Sequence, residues 1–398
     1  MRWQQTAVGL ALALSACRAA PTKAPLPASP DSALFLDGFF PIGVFSQTAS
    51  NLESWRDRGC NTALEIPQGE DRATWDAEAQ RVGLKLIRRP VSDPADDIGR
   101  TDVIAWPQPD EPDVDGQQAN CGGDCIALCE RLFTRWREVD PTRPVFVNLA
   151  GPNVLLPAAC DHCNGPGDEP PSPECYPNNA TCYPRIIAAA DWVGMDVYPV
   201  TGWLFSDALR EDVSVVGRTL DKLAGWTDKP LFAIVEVSNQ RLNIPGAGTR
   251  GPTPGEYRAE VWDAIIHGAR GIFYFPQAFN PFTFDATSAP VLREMERQHA
   301  TLSALAPVLQ SKIDPPGLTA AVDMPLEAGW RRSANSTVFF VLNTTGGRVR
   351  HGRVSLNGAS AATKARVYGE GRSVRIARGA WVDDFDPFAL HIYVVPDA

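Results

Sequence analysis

Pro230-Leu231-Phe232-Ala233-Ile234-Val235-Glu236 is a short apolar run that ends directly in a carboxylate. No polar residue alternates with its apolar ones, so it reads as a strand covered on both faces, the condition of a strand inside a parallel sheet. Segments of helical period flank it, Ser206 to Ala224 before and Pro254 to Ala269 after, and a second apolar run, Gly271 to Phe275, follows. Strand, helix and strand in that order form a βα unit whose strands run parallel.

Working back toward the N-terminus, the same reading finds Phe40 to Phe45, Thr62 to Ile66, Leu84 to Arg88, Val103 to Trp106, Val145 to Leu149 and Trp192 to Val197. Helical candidates lie at Asn51 to Arg58, Arg72 to Val82, Ile126 to Val139 and, after the last strand, Ala289 to Leu305. The third crossover, Asp93 to Gly99, is too short for a full helix. Eight parallel strands over a length near the usual ~250 residues close into an α/β fold of the (β/α)8, or TIM, barrel kind. An open doubly wound sheet is the alternative, but no Gly-rich phosphate loop follows the first strand. Beyond Pro315 the period changes to two, in Thr337 to Leu342, Arg353 to Leu356, Lys364 to Tyr368, Ser373 to Ile376 and Ala389 to Val395. That pattern predicts a small antiparallel β-sandwich-like domain, which packs on the barrel or binds glycans.

At the N-terminus, Arg2 and the apolar stretch Ala7 to Ala16 are too short to span a bilayer and read as a signal-peptide core. The expected organisation is therefore a signal peptide over 1–16, a tether over 17–33, the barrel over 34–312 and the β domain over 313–398. Leu14-Ser15-Ala16-Cys17 resembles a bacterial lipobox, in which Cys17 becomes the lipidated first residue, and the Pro- and Ala-rich Ala19 to Ser32 suits an extended tether. Arg18 after the Cys resembles the sorting signal of outer-membrane lipoproteins, so the expected location is the outer membrane or cell surface, with a membrane partner only through that anchor.

Setting Cys17 aside leaves eight of the nine cysteines. An even number in an oxidising compartment makes disulfides the expectation, and Cys121, Cys125, Cys129, Cys160, Cys163, Cys175 and Cys182 cluster in two loop regions apart from Cys60. Cys160-Asp161-His162-Cys163 also has a spacing that suits zinc. The formal net charge of −10 and a pI near 5.1 lack the basic footprint of a nucleic-acid binder.

Barrel enzymes place their chemistry at the C-terminal ends of the strands. Two carboxylates stand there: Glu111, in Trp106-Pro107-Gln108-Pro109-Asp110-Glu111-Pro112 after the fourth strand, and Glu236 at the end of the seventh. A carboxylate closing an apolar strand is costly unless it is used or paired. Aromatic candidates for stacking on sugar faces are Trp106, Tyr198, Trp203, Phe279 and Phe282, while Asn148, Gln240, Arg241 and Gln277 are candidates to hydrogen-bond hydroxyls. His267 falls inside the seventh helix pattern and reads as a satisfied core histidine; none of the five histidines follows a barrel strand, so no Ser-His-Asp arrangement is present.

Glu111 and Glu236, on strands four and seven, resemble the acid/base and the nucleophile of the large clan of retaining barrel glycoside hydrolases. The resemblance covers the barrel. Asp110-Glu111-Pro112 stands where that clan commonly has Asn-Glu-Pro, and Asp191 to Pro199 resembles its sixth strand, which implies that Asp196 and Tyr198 face the pocket. Pro276-Gln277 replaces the Trp many relatives carry after strand eight. What this implies is hydrolysis of a poly- or oligosaccharide, with Glu111 as acid, Glu236 as nucleophile, Asp110 beside them, and neither metal nor organic cofactor. Carboxyls about 5 to 5.5 Å apart give retention, and a gap above about 6.5 Å gives inversion. A glycan-binding surface lipoprotein without turnover fits the same residues, and the discriminating feature is two carboxyls facing across one pocket.

The lipobox reading predicts that mature protein starts at Cys17 carrying lipid and partitions with membranes. Mass spectrometry of the N-terminal peptide checks it, and an unmodified start elsewhere refutes it.

Overall fold

A computed structural model describes residues 37–114, 121–157, 180–202, 209–240, 250–314, 318–358 and 362–397. The signal peptide, tether and Cys17, together with Trp203, Arg241 and the Cys160 to Cys175 loop, lie outside these residues.

Eight parallel strands close into a barrel in sequence order: β1 (Ile42–Phe45), β2 (Thr62–Leu64), β3 (Lys85–Ile87), β4 (Val103–Pro107), β5 (Val145–Ala150), β6 (Trp192–Val197), β7 (Leu231–Glu236) and β8 (Ala269–Phe275). Closure comes from β1 against β8, with Ile42 opposite Ile272 and Gly43 opposite Phe273. The interior is a layer of large rings and branched chains, among them Phe146, Phe232, Phe273, Ile104 and Ile234. Small residues make room for them. A Cβ on Gly43 would come within 2.3 Å of the Phe273 ring, and one on Gly194 within 2.6 Å of Phe146.

Around the strands run α1 (Ala49–Asp57), α2 (Arg72–Arg81), α3 (Cys125–Val139), α4 (Gly151–Leu155), α5 (Tyr183–Ala188), α6 (Val215–Ala224), α7 (Pro254–Ile266) and α8 (Ala289–Leu309). Thr253 and Glu256 form a reciprocal cap that starts α7 behind Pro254. Among the described residues no helix is long and apolar enough to cross a membrane.

The third crossover is a single 3-10 turn, Pro94–Asp97, as its length requires. A polar network fills the place of the missing helix. Fully buried Arg88 donates to Asp76 at 2.6 Å and to both oxygens of Asp97 at 2.7 and 2.8 Å. Asp97 also accepts from the indole of Trp106 at 2.8 Å. Burial works to raise the Asp97 carboxyl, but the bonds from Arg88 outweigh it and hold the group below its ordinary range.

After the hairpin β9 (Ala278–Phe279) and β10 (Phe282–Thr283), the C-terminal part forms two antiparallel sheets. One holds β11 (Thr319–Val322), β14 (Val349–Asn357) and β17 (Ala380–Phe385). The other orders β12 (Leu326–Ser333), β13 (Ser336–Asn343), β18 (Leu390–Pro396), β15 (Lys364–Val367) and β16 (Arg372–Arg375). Between them lie Phe339, Trp381 and Tyr393. The outer face of β12 and β13 packs on α7, where Trp262 stacks on Phe340 at 5.4 Å and buried Arg331 donates to the Ile265 carbonyl at 2.6 Å.

Cys121 and Cys125 form a disulfide, and Cys182 is disulfide-bonded as well. Cys60 and Cys129 stand outside the expected disulfides: both are free thiols sealed in apolar clusters, where burial pushes Cys129 up to about 12. There each acts as a small hydrophobe.

Replacing Arg88 with Met leaves Asp97 buried without its main partner. The expected cost is about 3–5 kcal/mol in urea unfolding. A loss below about 1 kcal/mol would show that the network does not hold this crossover.

Candidate active site

The loop after β4 is fixed at both ends before it reaches the mouth. Gln108 is buried, and its amide donates to the carbonyls of Cys129 at 3.0 Å and Ala189 at 2.7 Å. At the far end Asp113 accepts from the Ala150 amide at 3.0 Å and from the Tyr183 hydroxyl at 2.9 Å. Between these anchors Glu111 has φ of +45°, a left-handed conformation that costs a non-glycine residue about 1–3 kcal/mol. Its amide donates to the Asn148 carbonyl at 3.2 Å. The segment is a tied turn that presents one side chain.

A cavity of about 260 Å3 opens at the C-terminal end of the barrel, lined by Phe45, Asp110, Glu111, Asn148, Asp196, Tyr198, Ile234, Phe275, Gln277 and Phe279. Asn148, on β5, bridges two acids: its amide donates to Asp110 at 3.0 Å and to Asp196 at 3.3 Å. Glu111 and Asp196 hydrogen-bond to each other through their carboxyls, and Asp196 accepts from the Tyr198 hydroxyl. Burial first, then the charges of Asp196 and Asp110, drive the Glu111 carboxyl far above the ordinary carboxylate range. Asp196 is raised too, by burial and then Asp110, with the bonds from Glu111 and Tyr198 opposing. Burial and the neighbouring carboxylates therefore favour a proton on Glu111, with Asp196 as its acceptor.

Aromatic rings form the apolar wall. Phe275 lies 5.3 Å from Tyr198 and 5.7 Å from Phe45, and Phe279 stacks on it at 6.0 Å. Gln277 donates to the Ser46 carbonyl at 2.9 Å, tying the ends of β8 and β1 together beside the cavity. Phe275 thus supplies an apolar surface where the Pro276-Gln277 departure left the expected Trp without a replacement.

Sequence reasoning passed over the rim at β2 and β3. Glu65 follows β2 with φ of +64° and is pushed up to about 8 by burial, with the Arg89 charge opposing and that of Asp110 adding to the rise. Arg89, shortly after β3, also acts on Asp110. Both stand just beyond an apolar run, the position that singled out Glu236, so the signal was present.

At the end of β7 stands Glu236. Its carboxylate does not line the cavity, although Ile234, one step back on the same face of β7, does. The turn after β6 folds over the end of β7, and the amides of Val200 and Thr201 donate to the two Glu236 oxygens at 2.5 and 2.9 Å. The group is fully buried, which raises it to about 7 against those bonds. Trp106 is also displaced from its expected role: its indole gives its proton to Asp97, and its ring packs on Trp136 at 5.8 Å on the helix side of β4. Gln240 is buried off the cavity with both side-chain polar atoms unpaired, while its carbonyl accepts from the Phe279 amide at 3.0 Å. Phe282 is exposed on the hairpin outside the lining.

No protein-family model and no curated protein matches the sequence. Solved structures do match it in fold. The alpha-amylase of Geobacillus thermoleovorans, complexed with acarbose, superposes with a TM-score of 0.54 at 11% identity over 91% of this chain and 99% of that one. A protein described as a glycoside hydrolase gives 0.53 at 13%, over 90% and 93%. AmyP in complex with maltose gives 0.51 at 8%, over 92% and 98%. The likeness is one of architecture: an eight-stranded parallel barrel followed by an antiparallel β domain, the build of these glycoside hydrolases.

Asp196→Asn removes the charge beside Glu111 and places an amide donor there, so the Glu111 carboxyl should titrate about one unit or more lower. Carboxyl infrared difference spectra against pH read this directly. An unchanged or higher Glu111 titration would mean that Asp196 is not its controlling neighbour.

Proposed function

We propose that this protein is a glycoside hydrolase acting on a poly- or oligosaccharide, with Glu111 as the general acid. One observation carries the reading: a strained, firmly anchored loop holds the Glu111 carboxyl, beside Asp196 and Asp110, against an aromatic-walled cavity at the C-terminal end of the barrel. Acetal cleavage needs a proton on the leaving oxygen, and a carboxyl that stays neutral at working pH supplies it. Asp196 accepts from Glu111 at rest and yields the proton when a glycosidic oxygen takes its place. Asn148 Oδ1, which has no hydrogen-bond partner, and Asp110 offer acceptors to sugar hydroxyls, and Tyr198, Phe275 and Phe279 offer faces on which rings stack.

The nucleophile in this reading is Glu236, in a double displacement that retains configuration. Asp196 bonds directly to Glu111, which is closer than the separation at which two carboxyls flank a sugar. For Glu236 to attack, the Val200–Thr201 turn has to release its oxygens. That same arrangement favours the second reading, a glycan-binding surface protein that keeps the cavity without turnover. In either case we read the chain as held at the outer membrane or cell surface through Cys17.

The test is a glycan-panel screen with the product anomer followed by NMR, on wild type, Glu111→Gln and Glu236→Gln. Glu111→Gln should lose about 10²–10⁴ in kcat on unactivated glycosides and far less on aryl glycosides, which need no proton. Glu236→Gln should be equally impaired, with azide restoring turnover of an activated donor to the inverted product. Retained turnover in Glu111→Gln removes the acid assignment. Glycan binding by wild type without hydrolysis establishes the second reading.

A further inference from the structure

Away from the mouth, α6, α7 and β12 bring Asp221, Asp263, His267 and Glu327 together. His267 caps the C-terminal end of α7. Its Nδ1 lies 2.8 Å from Asp221 Oδ1, and its Nε2 lies 2.5 Å from Glu327 Oε2 and 3.7 Å from Asp263 Oδ1. The Asp263 side chain is fully buried, and its two oxygens differ. Oδ2 accepts from the Gly217 amide at 2.6 Å, whereas Oδ1 is buried with no hydrogen-bond partner. Gly217 is required for this approach, since a Cβ there would sit 2.3 Å from the His267 ring and 2.8 Å from Asp263 Oδ2. The packing thus fixes Asp263 so that its unpaired oxygen faces the imidazole.

From this geometry we infer that His267 Nε2, Asp263 Oδ1 and Glu327 Oε2 form a binding site for a divalent transition-metal ion of the zinc class. The donor atoms all lie within 4.8 Å of one another. Zinc binds imidazole nitrogen and carboxylate oxygen at about 2.0–2.2 Å, so donors sit up to about 4 Å apart across it. Only the Glu327 to Nε2 gap has to widen, and Glu327 is a partly exposed side chain able to move. Asp221 supplies the feature that separates a metal ligand from an ordinary buried histidine: a carboxylate on Nδ1 that fixes the tautomer and leaves Nε2 for the ion. Charge points the same way. The cluster sets three carboxylates, Asp221, Asp263 and Glu327, against the one imidazole of His267. Nearby Arg270 and Lys229 are committed to backbone carbonyls.

Because Glu327 belongs to the β domain and the other donors to the barrel's helices, the ion would tie the two parts together.

The experiment is calorimetric titration of the full chain, stripped with chelator, with ZnCl2, alongside thermal melts. One equivalent should bind, and Tm should rise with zinc. Glu327→Gln and His267→Gln should abolish this binding. Asp221→Asn, at an exposed position that does not threaten folding, should weaken it about 10–100-fold. No zinc binding, or binding that all three variants leave unchanged, overturns the assignment: the cluster would then be an ion pair around His267, or the ion would sit on other residues.

Discussion

Burying one carboxylate beside two others is prohibitive unless a proton or a donor offsets the charge, and at the mouth of this barrel burial and the charges of Asp196 and Asp110 push the Glu111 carboxyl toward its protonated form. The surrounding structure follows from that constraint. Glu111 can remain neutral because Asp196 accepts its hydrogen bond, and Asp196 can remain partly charged because Asn148 and Tyr198 donate to it. Asn148 serves Asp110 with the same amide. Removing any member strands another in a poorly solvated place, so β4, β5 and β6 are coupled through their terminal side chains as well as through the sheet. The anchors on either side of Glu111, Gln108 and Asp113, keep the loop from relaxing its left-handed residue and turning the acid out to water.

The same economy of charge recurs along α7, which lies between the barrel and the β domain and carries three buried acids. Each is accommodated differently. Glu256 is ionised, held below its ordinary range by Arg250 and the Thr253 cap against its burial. Glu260 has no hydrogen-bond partner for either oxygen, and burial together with the charges of Glu236 and Glu256 drives it well up. Asp263 is raised to about 7 by burial despite the His267 charge. Polar groups thus decide where this helix sits as much as the stacking of Trp262 on Phe340 does.

How much of this was legible in the sequence depends on whether the information was local. Barrel strands were legible because strands buried on both faces must be apolar throughout, and β1 to β8 fall within or beside the runs read from periodicity. In the β domain, β11, β12 and β17 escaped notice; in β12, Gly329 and Arg331 interrupt the alternation, and contact with α7 explains them, since a Cβ at 329 would sit 2.8 Å from the Ile266 carbonyl. Asp110, Glu111, Asn148, Asp196, Tyr198 and Gln277 were legible because position after a strand places a side chain at the mouth. Trp106 was not, because β4 turns its indole outward to Asp97, which belongs to a different crossover. Cysteine parity failed at Cys60 and Cys129 because a count carries no information about burial.

Glu236 shows most clearly where local reasoning stops. Its sequence position, closing an apolar strand, correctly signals that something must compensate the carboxylate, but two kinds of compensation satisfy that demand. A substrate-facing nucleophile draws on the electrostatics of the cavity, whereas a structural acid draws on backbone donors, and here the Val200 and Thr201 amides are the donors. A carboxylate holding two amides at those distances gains charge-assisted bonds and fixes the turn that follows Asp196 and Tyr198. So even at rest Glu236 acts on the cavity, through the backbone that carries two of its lining residues. Withdrawing it for attack would free that turn at the moment the site needs Asp196 in place. Double displacement on this scaffold therefore requires sugar binding to supply what the two amides now supply, and the energy for that exchange has to come from contacts made elsewhere along the substrate.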